Sequence, residues 1–330
     1  MKSRSKSKIS DKIITRLLKK AGLSPVHSIS PLGEGEFNSL YSCDTDQGSY
    51  VLKIAPFKES TLLTYEQEMM KQELYFYSLI QEHTTIKTPR IIFSDFSKTL
   101  IPSPYFIMEK VNGIQLDKLQ VDETQKGELN LKIADLIAQI HRLRHHQFGY
   151  LQNGLHDNWF LAISSMSENL IKDAKKFHHS SKRGKILLHY IHQYRSILEK
   201  VESRLVNYDI WPGNILCELN NQTMAIWLID LERCFFGDFI ADFVSQDFMA
   251  MTLKQKSKFI DTYMQSSDTL VNYTREEEIR FAITLGYLGL ILEVEKYARY
   301  SIFHYGWWRN VGGSQLLFSQ CFKTIESLNQ

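Results

Sequence analysis

The chain has 330 residues, enough for about two average domains or one large two-lobed unit. Its 43% hydrophobic and 23% charged residues supply an ordinary core and exclude intrinsic disorder. With 39 basic and 37 acidic side chains the net charge is +2, which argues against a protein held on nucleic acid by bulk charge.

Met1 to Lys8 is basic and polar, and no apolar core of about 7–15 residues follows it, so it does not read as a secretory signal. From Ser10 the pattern is helical: Ile13, Ile14, Leu17 and Leu18 share a face, and Gly22 can end the helix. Strands are expected at Val26 to Leu32, Ser39 to Thr45 and Ser49 to Ala55, the last two joined by a turn at Asp46-Gln47-Gly48. In the third strand Tyr50, Leu52 and Ile54 alternate with Val51 and Lys53. A helix from about Leu63 to Ile80 and a strand from Tyr105 to Met108 complete a mostly sheet-forming region of about 110 residues.

Beyond Gly113 the chain turns helical, with Ile133, Leu136, Ile137 and Ile140 on one face and another helix at Trp159 to Phe177. Lys175 to Lys185 reads as a surface connection, because it lacks the interleaved aromatics of a nucleic-acid patch. Thr274-x-x-Glu277 resembles a capping box ahead of the apolar run Phe281 to Leu292. That run falls short of the ~20 residues of a spanning helix, so a buried helix and no membrane partner are expected. Cys43, Cys217, Cys234 and Cys321 are scattered without a C-x-x-C pair, which fits a reducing compartment, here the cytoplasm.

Three separated segments carry chemistry. The first is Gly33-x-Gly35-x-x-Asn38, between two strands. Glycines there let backbone N–H groups approach phosphate oxygens, whereas an isolated G-x-G is more often a plain hairpin turn. It opens no helix and is followed by no Gly-Lys-Ser/Thr, so it is neither a Rossmann fingerprint nor a Walker A loop. The second is Lys53, whose charge in an apolar strand is costly unless paired or used. Glu66 and Glu73, two turns apart on the next expected helix, are candidate partners, with Glu73 favoured. A lysine on the solvent side of a half-exposed sheet is the blander alternative. The third is Asn207-Tyr208-Asp209-Ile210-Trp211-Pro212-Gly213-Asn214, followed after an apolar strand by Ile229-Asp230-Leu231-Glu232-Arg233. Asp209 and Asn214 stand in a D-x-x-x-x-N spacing with a later Asp, the pattern of phosphoryl-transfer enzymes. One carboxylate must orient and deprotonate a hydroxyl, and hard oxygen ligands must hold Mg²⁺ on the nucleotide phosphates.

In this order the segments resemble the aminoglycoside phosphotransferase-like family of small-molecule kinases, which includes choline and fructosamine kinases. The resemblance spans about residues 25 to 320 and includes Phe148-Gly149-Tyr150 and Gly237-Asp238-x-x-x-Asp242. A protein kinase fits less well, since Leu-Glu follows Asp230 and no Ala-Pro-Glu ends an activation loop. The resemblance implies an α+β, two-lobed, protein-kinase-like fold. Its nucleotide-binding lobe would comprise residues 1–110, with a small antiparallel sheet. A mainly helical catalytic and substrate-binding lobe would comprise residues 111–330. It implies ATP and Mg²⁺ as cofactors and a small-molecule hydroxyl as acceptor: an aminoglycoside, amino sugar, amino alcohol or sugar derivative. Asp209 would be the catalytic base. Asn214 and Asp230 would hold Mg²⁺, and Lys53, paired with Glu73, would touch the phosphates. Gly33, Gly35 and Asn38 would belong to the loop over the phosphates. Met108, Glu109 and Val111, within Ile107 to Val111, would form the adenine hinge, and Asp242 would brace the catalytic loop.

One departure stands out: the family usually has His two residues before the catalytic Asp, where this chain has Asn207. It is the sole support for the rival reading, a non-catalytic nucleotide-binding protein that kept the kinase-like fold. His141 reads as a packed histidine, and Tyr297, Tyr300, Phe303, Tyr305, Trp307 and Trp308 read first as core. A second reading places these aromatics with Glu293 or Glu295 around a cationic amine, held by charge and cation–π contact.

Overall fold

The computed structural model describes residues 9–33, 37–57, 61–220 and 223–329. Helix α1 (Asp11–Lys20) has an acidic residue in its first turn and Lys19 and Lys20 in its last, as the helix dipole favours. Its buried face is Ile14, Leu17 and Leu18, and Gly22 beyond its end takes a φ of 78° that a side chain would resist. Strands β1 (Val26–Pro31), β2 (Ser39–Thr45) and β3 (Gly48–Ile54) follow, then helix α2 (Met69–His83), then β4 (Ile91–Asp95) and β5 (Tyr105–Glu109). They form one antiparallel sheet in the order β1-β2-β3-β5-β4.

Alternation along β3 sorts this sheet into two faces. Tyr50, Leu52 and Ile54, with Tyr105 and Ile107 of β5, pack under α1. Phe106 points the other way, into the larger core with Phe76, Tyr77 and Ile80 of α2, and Lys53 pairs with Phe106 across the ladder. The lysine therefore lies inside the molecule, buried at 3% exposure, and the solvent-facing alternative is excluded.

Two expectations are corrected here. The helix expected from Leu63 begins only at Met69, because Glu68 adopts a left-handed φ of 53°. Thr64–Glu66 forms a separate short turn, held by Leu63 N–H on Glu66 Oε2 (2.8 Å) and Thr64 N–H on Asp173 Oδ2 (2.7 Å). Glu66 and Glu73 are thus not on one helix. The edge strand β4 gave no clear period in the sequence; it is short, and only its last residue is buried.

The rest is mainly helical. Strand β6 (Ile114–Gln115) leads to α3 (Glu123–His141), capped by Asp122 and Gln125, then α4 (Trp159–Lys176), α5 (Lys182–Gln193) and α6 (Arg195–Leu198). The connection expected at Lys175 to Lys185 is shorter than the sequence suggested, since α5 already starts at Lys182 on a Ser181 cap. Gly184 sits inside α5 because a Cβ there would meet Ser181 Oγ at 2.7 Å and Leu290 Cδ1 at 2.8 Å. Strands β7 (Arg204–Val206), β8 (Ile215–Asn220), β9 (Thr223–Leu228) and β10 (Phe235–Gly237) pair as β7 with β10 and as the sheet β6-β8-β9. Helices α7 (Ile240–Gln246), α8 (Ser257–Ser266), α9 (Arg275–Arg299) and α10 (Tyr305–Leu328) complete the chain. The capping box Thr274/Glu277 starts α9, which is buried along most of its length and packs against α10. Among the described residues no helix is long and apolar enough to cross a membrane, and all four cysteines are buried free thiols.

Candidate active site

The segment between β7 and β8 is shaped by one buried carboxylate. Asp242, at the start of α7, accepts the backbone N–H of Asn207 (3.1 Å, Oδ2) and of Tyr208 (2.6 Å, Oδ1). His141 holds the same carboxylate at 3.0 Å and is itself held by the Tyr263 hydroxyl at 2.9 Å. So His141 is packed, as expected, and it is also the second support of the brace. These bonds fix Tyr208 at a φ of 60°, its ring buried and its hydroxyl donating to Thr284 O (2.8 Å). Asp209, the residue after this strained one, is partly exposed.

Asn207 takes part in the same brace. Its Oδ1 accepts the Asp209 N–H at 2.9 Å, while its Nδ2 is buried without a partner among the described residues. Asn214 donates through Nδ2 to Asp209 Oδ2 (2.9 Å) and Asp209 O (3.0 Å), closing the loop. Burial pushes the Asp209 carboxyl up to about 6, against the pull of Arg233 and with the repulsion of Asp230 added. The Asn214 carbonyl accepts the Ile229 N–H (3.0 Å), which locks the Asp230 segment beside the loop.

Asp230 also has a left-handed φ, 63°, and its N–H donates to the Tyr77 hydroxyl of α2 (3.1 Å). Its Oδ1 accepts from Lys53 Nζ at 2.8 Å. Lys53 reaches Glu73 Oε1 at 2.9 Å, the partner favoured from the sequence, and also Glu232 Oε2 at 3.1 Å. Burial alone would lower the Lys53 pKa, but Asp230, Glu232 and Glu73 hold it well above its ordinary value. Burial raises the carboxyls of Glu73 and Glu232, with Asp230 adding to both and Lys53 opposing. Oxygens of Glu73, Asp230 and Glu232 lie within 4.8 Å of one another, an oxygen-rich group around one cation.

The glycine loop is placed in part. Gly33 has a φ of 67°, Gly35 lies outside the described residues, and the Asn38 side chain donates to Glu232 Oε2 at 2.6 Å. The loop thereby touches the carboxylate group. Met108 and Glu109 lie at the end of β5, and Val111 follows it. The Glu109 N–H is committed to Arg90 O (3.0 Å), and its side chain accepts the Arg90 N–H (2.9 Å).

Several participants escaped the sequence reading. Glu232 and Arg233 were visible as motif letters but carried no assigned role, because only the fold shows what they face. Arg233 Nη2 bonds Glu295 Oε1 of α9 at 2.8 Å; Arg299 reaches the same oxygen at 3.1 Å and pairs with Glu66; and the Tyr65 hydroxyl donates to Glu295 at 2.7 Å. Burial would raise the Glu295 carboxyl, yet Arg299 and Arg233 keep it below its ordinary value. Glu293 accepts from Ser181 Oγ at 3.0 Å. Both carboxylates considered for a cationic amine are therefore already partnered. The aromatics expected as core divide: Tyr300 is buried, while Phe303 is 85%, Tyr305 78% and Trp308 63% exposed.

No curated protein sequence matches the chain. Solved structures match it over nearly their whole length. One described as a fructosamine-3-kinase from Haemophilus somnus 129PT has a TM-score of 0.65 at 15% identity, covering 94% of this chain and 97% of that one. The microcompartment-associated aminopropanol kinase matches with a TM-score of 0.63 at 13% identity, covering 97% and 98%. The streptomycin–ATP–APH(2")-IIa ternary complex matches with a TM-score of 0.59 at 15% identity, covering 95% and 99%. The five-stranded antiparallel sheet with its Lys–Glu pair, set over a helical part, is a two-lobed protein-kinase-like α+β fold. The family model for the phosphotransferase enzyme family, APH, matches residues 28–278, and the chain belongs to that family.

Proposed function

We propose that the protein transfers the γ-phosphoryl group of ATP to a hydroxyl of a small molecule and requires Mg²⁺. The observation that carries this reading is the convergence, from three separate segments, of Lys53, the Asp209–Asn214 loop and Asp230 on one connected hydrogen-bonded group. The Mg²⁺ fit rests on the donor set. Asn214 spends its Nδ2 on Asp209, which leaves an amide oxygen, and Asp230, with a side chain 35% exposed, adds carboxylate oxygen; both are hard donors. When bound, the ion would neutralise phosphate charge.

The protein's own part is positioning and electrostatics. Asp209, poised near 6, is ionised at neutral pH and still basic enough to orient and accept the proton of an attacking hydroxyl. Lys53, held by Glu73, would contact the nucleotide phosphates under the Gly33 to Asn38 loop. The carbonyl of Glu109 and the N–H of Val111, beside Met108, would meet the adenine edge. The brace made by Asn207 supports an active enzyme over a non-catalytic relative, since the amide does the loop-holding work expected of a histidine there.

Calorimetry of Mg-ATP binding, paired with a screen for ADP formation on hydroxyl compounds, tests the proposal. Binding with acceptor-dependent ADP release supports it. Binding without turnover on any acceptor transfers support to the non-catalytic reading, and absence of Mg-ATP binding defeats both.

A further inference from the structure

A pocket of ≈ 670 Å³ opens between the end of α4 and the junction of α9 and α10, within the ~300–1,000 Å³ range of small-molecule sites. Its connection to the proposed phosphoryl-transfer centre runs through α9, where Glu295 binds both Arg233 and Arg299, the residue before the lining Tyr300. Arg299 lies over the ring of Phe37, beside the glycine loop, at 5.0 Å, and the next residue, Tyr300, lines the pocket. On the other side, Lys176 lines the pocket and donates to Leu62 O at 3.0 Å, just ahead of the turn that carries Glu66.

The walls are aromatic and basic. His179 stacks flat on Tyr297 with centroids 3.7 Å apart and an interplanar angle of 11°, and Trp307 meets Tyr297 edge-on at 5.7 Å. Lys176, His178, His179 and Phe303 also line the cavity, and no Asp or Glu is among the described lining residues. The nearest carboxylates of α9 are spent: Glu293 on Ser181, Glu295 on Arg233, Arg299 and Tyr65. The cation–π position is filled as well, because Lys296 Nζ sits 4.7 Å from the Tyr297 ring centre and 5.9 Å from that of Trp307. A polycationic acceptor would meet Lys176 and no carboxylate among the described lining residues. A flat ring would find the exposed rings of His179 and Phe303, and a negative group would find Lys176.

We infer that this pocket receives the acceptor, and that the acceptor is a hydroxyl compound with an apolar planar ring and a neutral or negative charge, not a polycationic amino sugar. The inference rests on the phosphotransferase reading for the word acceptor, while its binding content stands separately. Calorimetry on the full chain would use naphthyl glucoside as the neutral probe, naphthyl glucuronide as the anionic probe and streptomycin as the polycation. Both naphthyl compounds are expected to bind, the glucuronide more tightly, and streptomycin at least tenfold more weakly than either. His179→Ala and Phe303→Ala, both at exposed positions, should each weaken the two naphthyl probes by up to about tenfold. Lys176→Glu should weaken the glucuronide and spare the glucoside. Absence of binding by both naphthyl probes, affinities unmoved by these substitutions, or streptomycin binding as tightly as the naphthyl probes overturns the inference. If Mg-ATP binds and streptomycin is phosphorylated, the pocket inference falls and the kinase reading stands. If the naphthyl probes bind as described and Mg-ATP does not, the kinase reading falls and the pocket's ligand preference stands.

Discussion

Asp209→Asn should stabilise the protein while disabling it. The Asp209 carboxyl is moved by burial from 3.8 to about 6, so the folded protein holds this proton more tightly than the unfolded chain does. Stability is therefore undiminished below the unfolded value and is lost as pH rises through the folded one. At neutral pH the ionised group costs the fold about 3 kcal/mol, trimmed to about 2 kcal/mol because the side chain is only half-buried. Asparagine removes the charge and keeps an oxygen for the Asn214 amide, so the hydrogen bond at 2.9 Å survives the change. Urea unfolding of the ligand-free protein is the assay. The midpoint of the variant should exceed that of the native protein at about pH 7.5, and the two should converge near pH 4, with slopes unchanged. Over the same series kcat should fall about 100-fold or more with Mg-ATP affinity retained. A variant that is less stable at neutral pH, or whose gain is equal at both pH values, would refute the argument that burial strains this carboxylate.

Other substitutions separate the remaining roles. Asp230→Asn should weaken Mg²⁺-dependent nucleotide binding together with turnover, measured by calorimetry with and without the ion. Lys53→Ala should do the same and also cost about 3–5 kcal/mol of stability in denaturant, because Glu73 and Glu232 lose the cation that forms an ion pair with both. Asn207→Ala removes the acceptor for the Asp209 N–H, so kcat should drop with the nucleotide Kd unchanged; an unaltered kcat would show that the brace is dispensable. Asp242→Ala strands two backbone N–H groups and His141, and should lower stability by about 3 kcal/mol or more and abolish turnover, read by unfolding and ADP release.

Local stereochemistry was legible without coordinates. Alternation in Tyr50 to Ile54 put Lys53, with Val51, on the face opposite Tyr50, Leu52 and Ile54, and the structure shows that face buried against α2. The D-x-x-x-x-N spacing placed Asn214 within one short loop of Asp209, and Thr274 with Glu277 marked the start of α9. Such signals depend on neighbours a few residues apart, so period and turn chemistry carry them. The boundary of α2 was misread for a local reason of another kind: Glu68 takes a left-handed conformation that no residue type there announces.

The sequence by itself therefore determined the motifs, their order and the resemblance they carry, and the face that Lys53 presents, because each motif and each strand face is written in residues a few positions apart. Only the tertiary structure decided which charges meet. Lys53 and Asp230 lie 177 residues apart, Glu232 joins them, and Glu66 finds Arg299 instead of Lys53. A buried charge must find an opposite charge or a hydrogen-bond partner, and which one it finds is set by how sheet and helices pack, not by its neighbours in the chain. For the same reason the fate of Glu293 and Glu295, spent on Ser181 and on two arginines, could not be read from their positions ahead of the aromatics.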